Sequence, residues 1–306
     1  MITAVLGTPS FPDPWRYQAN PEVWLLVGFL IVAFIYSIRV IGPRAVALGE
    51  PVVTRRQVWC FVTAMVILFT ASTWPIHQIG EDYLYSVHMF QHMMLSYFLP
   101  PLVLLATPEW LLRTLVGTGR GYRVLRFLTE PIVAGVAFNA LVMIVHIPGV
   151  VNASVQNGAL HYLLHVLVVM TGVWMWTPIV GPFKEWHLTP IGKCSYLFVQ
   201  SVIPMVPAGW LTFADGVVYK RYEQPVRVWG LSVTEDQQLA GAVMKTGGTV
   251  FIWSIIVFIF MKRFGVETAS TYRRGGTMPT AEILGHDEHP LTYEQVTAAF
   301  DRTPAP

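Results

Sequence analysis

Seven apolar stretches, each near the length that crosses a bilayer, restrict what this chain can fold into more than any other feature. A membrane span needs about 20 mostly apolar residues. Residues 24–41, 57–74, 84–106, 131–147, 159–180, 195–213 and 239–261 answer that description, the fourth being the shortest. Of the 306 residues, 54% are hydrophobic and only 12% charged, against about 25% charged in a soluble domain. The expected fold is all-α: a polytopic membrane helix bundle with about seven transmembrane helices. No internal repeat is evident, and one bundle accounts for nearly the whole chain.

Lysine and arginine in short loops set orientation, because they are retained on the cytoplasmic side. The first connection carries Arg39, Arg44, Arg55 and Arg56, and the third carries Arg113, Arg120, Arg123 and Arg126. The fifth holds Lys184 and Lys193, and Lys262, Arg263, Arg273 and Arg274 follow the last span. The second connection has only Glu81 and Asp82, the fourth has no charge, and the sixth is mixed. The alternation predicts an N-terminus outside and a cytoplasmic C-terminus. It divides the chain into an extracytoplasmic segment (1–21), a seven-span membrane domain (22–264) and a polar, disordered cytoplasmic tail (265–306). Residues 1–21 lack a basic start followed by a short apolar core, so no cleaved signal peptide is expected. Residues 109–128 interleave arginine with leucine, tryptophan and phenylalanine, which suits a broken helix on the inner leaflet as well as a basic loop that only fixes topology.

With spans and orientation in place, the histidines fall into a pattern. Six of the nine lie toward the outer end of the bundle. His88 and His92 form one HxxxH pair, and His161 and His165 form another. Spacing of i,i+4 puts both imidazoles of a pair on one helix face, with Cβ atoms about 5–6 Å apart. His146 closes the fourth span, and His77 lies just beyond the second. Polar groups in a bilayer are costly, face the bundle interior, and mark binding sites or proton paths. Met89, Met93 and Met94 flank the first pair, and Met244 lies about two turns inside the seventh span, whose mouth carries Asp236 and Gln237.

A single buried histidine is ordinarily a hydrogen-bonded packing residue, and that is the reading for His77 and His187. Two HxxxH pairs at one depth favour a metal or haem site. Imidazole with thioether suits copper, especially Cu(I), whereas imidazole with carboxylate suits zinc or iron. Most methionines read as core filler. Cys60 and Cys194 sit near cytoplasmic ends of spans, so they offer neither a disulfide framework nor a CxxC site. Prolines 100, 101, 204 and 207 interrupt the third and sixth spans, and the second break points toward the histidine end. His286 and His289 belong to the tail.

At these residues the chain resembles the multi-spanning CtaG-type, or caa-type, cytochrome c oxidase assembly factors. The matching stretches are His88-Met89-Phe90-Gln91-His92 running to Pro100-Pro101, the run from Asn157 through His161 and His165 to Trp174-Met175-Trp176-Thr177-Pro178, and Asp236 to Met244. Together they cover roughly residues 20–265. The resemblance implies an assembly factor rather than an enzyme, in a bacterial cytoplasmic membrane, helping copper reach a haem-copper oxidase. Its partners would be oxidase subunits and the bilayer, with no nucleic acid. The resemblance makes His88, His92, His161 and His165 the core metal ligands, with His146, Asp236 and Met244 as further candidates.

Three other classes compete. A membrane haem protein would use His92 with His165 as axial ligands. A zinc-dependent membrane hydrolase would need a general base, for which Asp236 is available. A transporter would need a continuous polar path, and the inner halves of the spans carry few ionisable groups. Any shared metal site requires imidazoles of the two pairs within about 10 Å of each other, because metal–nitrogen bonds are only about 2 Å.

Overall fold

The computed structural model describes residues 13–223 and 226–275, and among them every regular element is helical. Residues 1–260 form one compact unit and 261–306 a second. The helices are α1 (Pro21–Ala45), α2 (Arg55–Ser72), α3 (Ile76–Asp82), α4 (Tyr85–Ala106), α5 (Glu109–Val116), α6 (Arg120–Leu128), α7 (Pro131–Val145), α8 (Pro148–Gln156), α9 (Gly158–Val180), α10 (Pro190–Thr212) and α11 (Val233–Gly275). The last runs beyond residue 264, where the sequence places the end of the membrane domain. Most of the tail, residues 276–306 with His286 and His289, lies outside the described residues, as do residues 1–12.

Five of these helices (α1, α4, α9, α10 and α11) are long and apolar enough to span a bilayer. The count reaches seven only if α2 with α3, bent by 41°, and α6 with α7, bent by 62°, each form one broken span. The second and fourth expected spans are therefore short: α2 has 18 residues and α7 has 15. At α7 the cause is local. Pro131 has no N–H to continue a helix and holds Glu130 in an extended conformation (φ −60°, ψ 132°), and the Glu130 carboxylate then caps the new helix by accepting from Ile132 and Val133.

α4 is the central element. Its apolar window is 61% buried, whereas those of α1 and α11 are 11% buried and turn their Leu, Phe and Val side chains outward, as lipid contact allows. One core cluster joins Tyr97 and Leu104 of α4 to Phe138 of α7, Trp176 of α9, Leu197 of α10 and Ile252 of α11. A second joins Leu95 and Leu99 of α4 to Val23 and Val27 of α1 and Met65 of α2. Close approach to α9 depends on Gly172, where a Cβ would stand 3.0 Å from the Ser96 carbonyl. Widened π turns at Ser37–Ile41 and Met94–Phe98 each precede a proline, Pro43 or Pro100. A proline ring clashes with the carbonyl one turn back, and the wider turn relieves that clash. In α10 the helix is interrupted at Ile203–Pro204, where the sequence places a break.

Away from the histidines, α5 and α6 form two amphipathic helices in the basic 109–128 segment. Arg113 pairs with Glu109 and with Glu185, and Arg126 lies over the Trp186 ring. His187 belongs here too: its Nε2–H donates to the Gly181 carbonyl at 2.7 Å. Burial pulls its pKa below the usual histidine range, keeping it neutral.

Candidate metal centre

The centre is assembled from three helices that meet where α4 begins. α4 has no side-chain cap of its own at Leu84. Its first amides are capped instead from α11. Tyr85 N–H donates to Oδ2 of Asp236 at 2.7 Å, and Ser86 N–H and Oγ–H donate to Oδ1 at 3.0 and 2.6 Å. A carboxylate at a helix N-terminus satisfies orphan donors and complements the helix dipole. Asp236 is fully buried and both its oxygens are occupied by this contact. Gln237 next to it does the same for the 214–232 segment, accepting from Val218 N–H and Tyr219 N–H at 2.8 and 2.9 Å.

That segment roofs the site. Tyr219 donates to the His146 carbonyl at 2.9 Å, and Tyr222 donates to the Gly80 carbonyl at 3.1 Å. Both rings pack on Tyr85, with centroids 4.6 and 5.1 Å away. Beneath them α3 lies close against α4. A Cβ on Gly80 would stand 3.1 Å from the backbone N and Cα of His88, so any larger residue would press α3 away from α4. The next residue is Glu81.

Glu81 of α3, His88 of α4, and His161 and His165 of α9 each place one ligand atom within 4.8 Å of all the others. His88 Nδ1 is 3.1 Å from Glu81 Oε1, and His161 Nε2 is 2.9 Å from Oε2. His165 Nε2 is 3.8 Å from Oε1. The two HxxxH pairs interlock: ring centroids of His88 and His161, and of His88 and His165, are 5.7 Å apart, and those of His92 and His165 are 4.5 Å apart. The helical spacing read from the sequence thus brings all four imidazoles together.

The other residues of interest fall around this group. His92 lies beside His88, with ring centroids 4.5 Å apart, but is not among the four donors. His77 stands at the edge, its Nδ1 3.8 Å from Glu81 Oε1 and accepting from Gln91 Nε2 at 3.2 Å. His146 ends α7 and borders a separate small cavity with His92 and Met244. An apolar cavity of about 460 Å³ between α1, α2, α4 and α9 reaches His77, His161 and His165. Glu81 carries the only carboxylate of the donor group, and from its position in the chain it reads as a marker of topology alone. The available signal was its place at i+4 from His77 in a connection without lysine or arginine.

The donors fit a cation. Nε2 of His161 faces Glu81 Oε2 at 2.9 Å, whereas Nε2 of His165 is buried and, at 3.8 Å from Glu81 Oε1, makes no hydrogen bond. Buried polar atoms are nearly always bonded, so a buried His165 nitrogen without a hydrogen bond, beside two imidazoles that face one carboxylate, has the arrangement of a metal-ligand set. The donor atoms lie within 4.8 Å of one another, and metal bonds of about 2 Å would require them to draw inward.

A bundle of apolar helices with a histidine–carboxylate group at one end defines a polytopic membrane protein with a candidate metal centre. The chain belongs to the cytochrome c oxidase caa3 assembly factor family, Caa3_CtaG, which it matches over residues 32–264. That range contains all four donors, together with His92, His146, Asp236 and Met244. Uncharacterised proteins of Mycobacterium bovis and Mycobacterium tuberculosis are each 28% identical to it over 177 residues, covering 52% of this chain and 27% of the relative. The chain thus spans about a quarter of the length of these curated relatives. No solved structure matches it.

Proposed function

We propose that the Glu81–His88–His161–His165 centre binds copper at the outer face of the bacterial cytoplasmic membrane and passes it toward a haem-copper oxidase during assembly. The convergence of three imidazoles and one carboxylate from three helices, each offering a donor atom within 4.8 Å of the others, is the observation that carries this reading. Family membership supplies the destination, an oxidase whose subunits are the partners. Copper is cargo here rather than a catalyst, and the protein acts as an assembly factor, not an enzyme.

Each residue has a defined part. Glu81 supplies negative charge, which offsets the cost of placing a cation in a low-dielectric interior. The imidazoles donate neutral nitrogen lone pairs and suit copper or zinc. Asp236 positions the helix that carries His88 and is not in the proposed ligand set. His92 with His165 suits a haem poorly, because rings with centroids 4.5 Å apart leave no gap for a macrocycle between them.

Metal analysis with an optical spectrum on detergent-purified protein tests the reading, beside a His88→Ala/His161→Ala/His165→Ala variant checked for native helicity. Near-stoichiometric copper that falls in the folded variant is expected. Zinc in its place would move the assignment to a zinc hydrolase, and a Soret band would move it to a haem protein. Neither metal nor haem after loading would overturn it.

A further inference from the structure

His92 borders two cavities. One, of about 30 Å³, is shared with His88, His161 and His165 of the centre described above. The other, of about 40 Å³, is lined by Met89, Met93, His146 and Met244 together with Tyr97 and valine side chains. A water molecule needs about 10–15 Å³ measured this way, so the second cavity has room for a small ion or about three waters.

The imidazole of His146 is prepared for such an ion. Its Nδ1 lies 2.6 Å from the Val142 carbonyl, which places the proton on Nδ1 and leaves a lone pair on Nε2. Nε2 is buried and has no partner, and the residue is 7% exposed. A metal-bound histidine almost always donates its other N–H to a carbonyl or carboxylate in this way. A buried nitrogen acceptor without a donor is otherwise costly.

Three thioethers complete the surroundings. The space for one of them is built in: a Cβ at Gly247 of α11 would collide with the Met93 sulfur. Met89 is buried, and Met93 and Met244 are half-buried against the core. Thioether and imidazole without a carboxylate select a soft monovalent ion, whereas the Glu81 centre has a charged oxygen donor.

We propose that His146, His92 and the sulfurs of Met93 and Met244 form a second, soft site for Cu(I), adjoining the Glu81 centre through His92. It rests on the copper reading only for the identity of the ion. Binding is a ligand exchange in which the ion stays Cu(I), so no electron donor is required.

X-ray absorption on the purified full chain loaded anaerobically with Cu(I) tests it, alongside the bound copper count. The wild type is expected to hold two ions and to show a sulfur shell. Met93→Leu/Met244→Leu, which conserves volume, should lose the sulfur shell and one ion, and His146→Ala should lose the same ion. The His88→Ala/His161→Ala/His165→Ala variant should keep the sulfur-ligated ion. Copper bound with nitrogen and oxygen scattering alone overturns the second site and leaves the Glu81 centre standing. A single sulfur-ligated ion that survives the triple variant upholds the second site and removes the first. An unchanged sulfur shell in Met93→Leu/Met244→Leu overturns this ligand set, and no bound Cu(I) overturns both sites.

Discussion

Among single residues, Glu81 and Asp236 divide the acidic work at the histidine end, one facing imidazoles and the other facing backbone amides. Glu81→Gln keeps size and hydrogen-bonding capacity but removes the charge. It is expected to leave the fold intact and weaken metal binding by about tenfold or more, measurable by competition with a chelator of known affinity. Asp236→Ala is expected to act differently. It strands buried donors on Tyr85 and Ser86 and should cost about 2–3 kcal/mol, seen as a lower melting temperature in detergent, with Asp236→Asn recovering part of the loss. Full stability of Asp236→Ala together with lost metal would place Asp236 among the ligands instead. The HxxxH pairs were legible in sequence because i,i+4 spacing fixes a shared face on any helix. Glu81 was not, because its approach depends on the bend between α2 and α3 and on the missing side chain at Gly80, neither of which leaves a periodic trace.

The helices carry the second lesson. α4 reaches α3 at one end and α9 further along through glycines, so its neighbours are set by what is absent as much as by what packs. Gly80→Val should force α3 away from His88. Overpacking of this kind costs about 1–3 kcal/mol. The predicted signature is reduced metal occupancy in a protein whose helical content is unchanged; unaltered occupancy would show that the α3–α4 approach does not matter to the centre. The long spans were legible because continuous apolar runs leave the backbone no choice but to bond within itself. The two short ones were only partly legible, since hydropathy averages over the break at Pro131 and over the turn between α2 and α3. The proline interruptions in α4 and α10 were visible as residue types, but the widened turn ahead of Pro100 is a local response to packing.

For the molecule as a whole, the arginine and lysine pattern predicts that the histidine end faces outside. Single-cysteine variants test this in a background without Cys60 and Cys194. A cysteine at Trp229, 65% exposed in the roof segment, should react with a membrane-impermeant thiol reagent in spheroplasts. One at the exposed Leu48 of the first connection should react only after lysis. The reverse pattern would invert the topology and bring the centre to the cytoplasmic side. The link from Asp236 to Tyr85 also spans 151 positions of sequence. Ribosomes add about 5–20 residues per second, so on the order of ten seconds separates the emergence of His88 from that of the carboxylate that anchors its helix. The first HxxxH helix therefore enters the membrane with its start unsecured, and the centre takes its final shape only when the last span arrives. Capture of the proposed ion would in this way be tied to the arrival of α11, and a nascent polypeptide halted before α11 would carry its histidines without the carboxylate that anchors their helix.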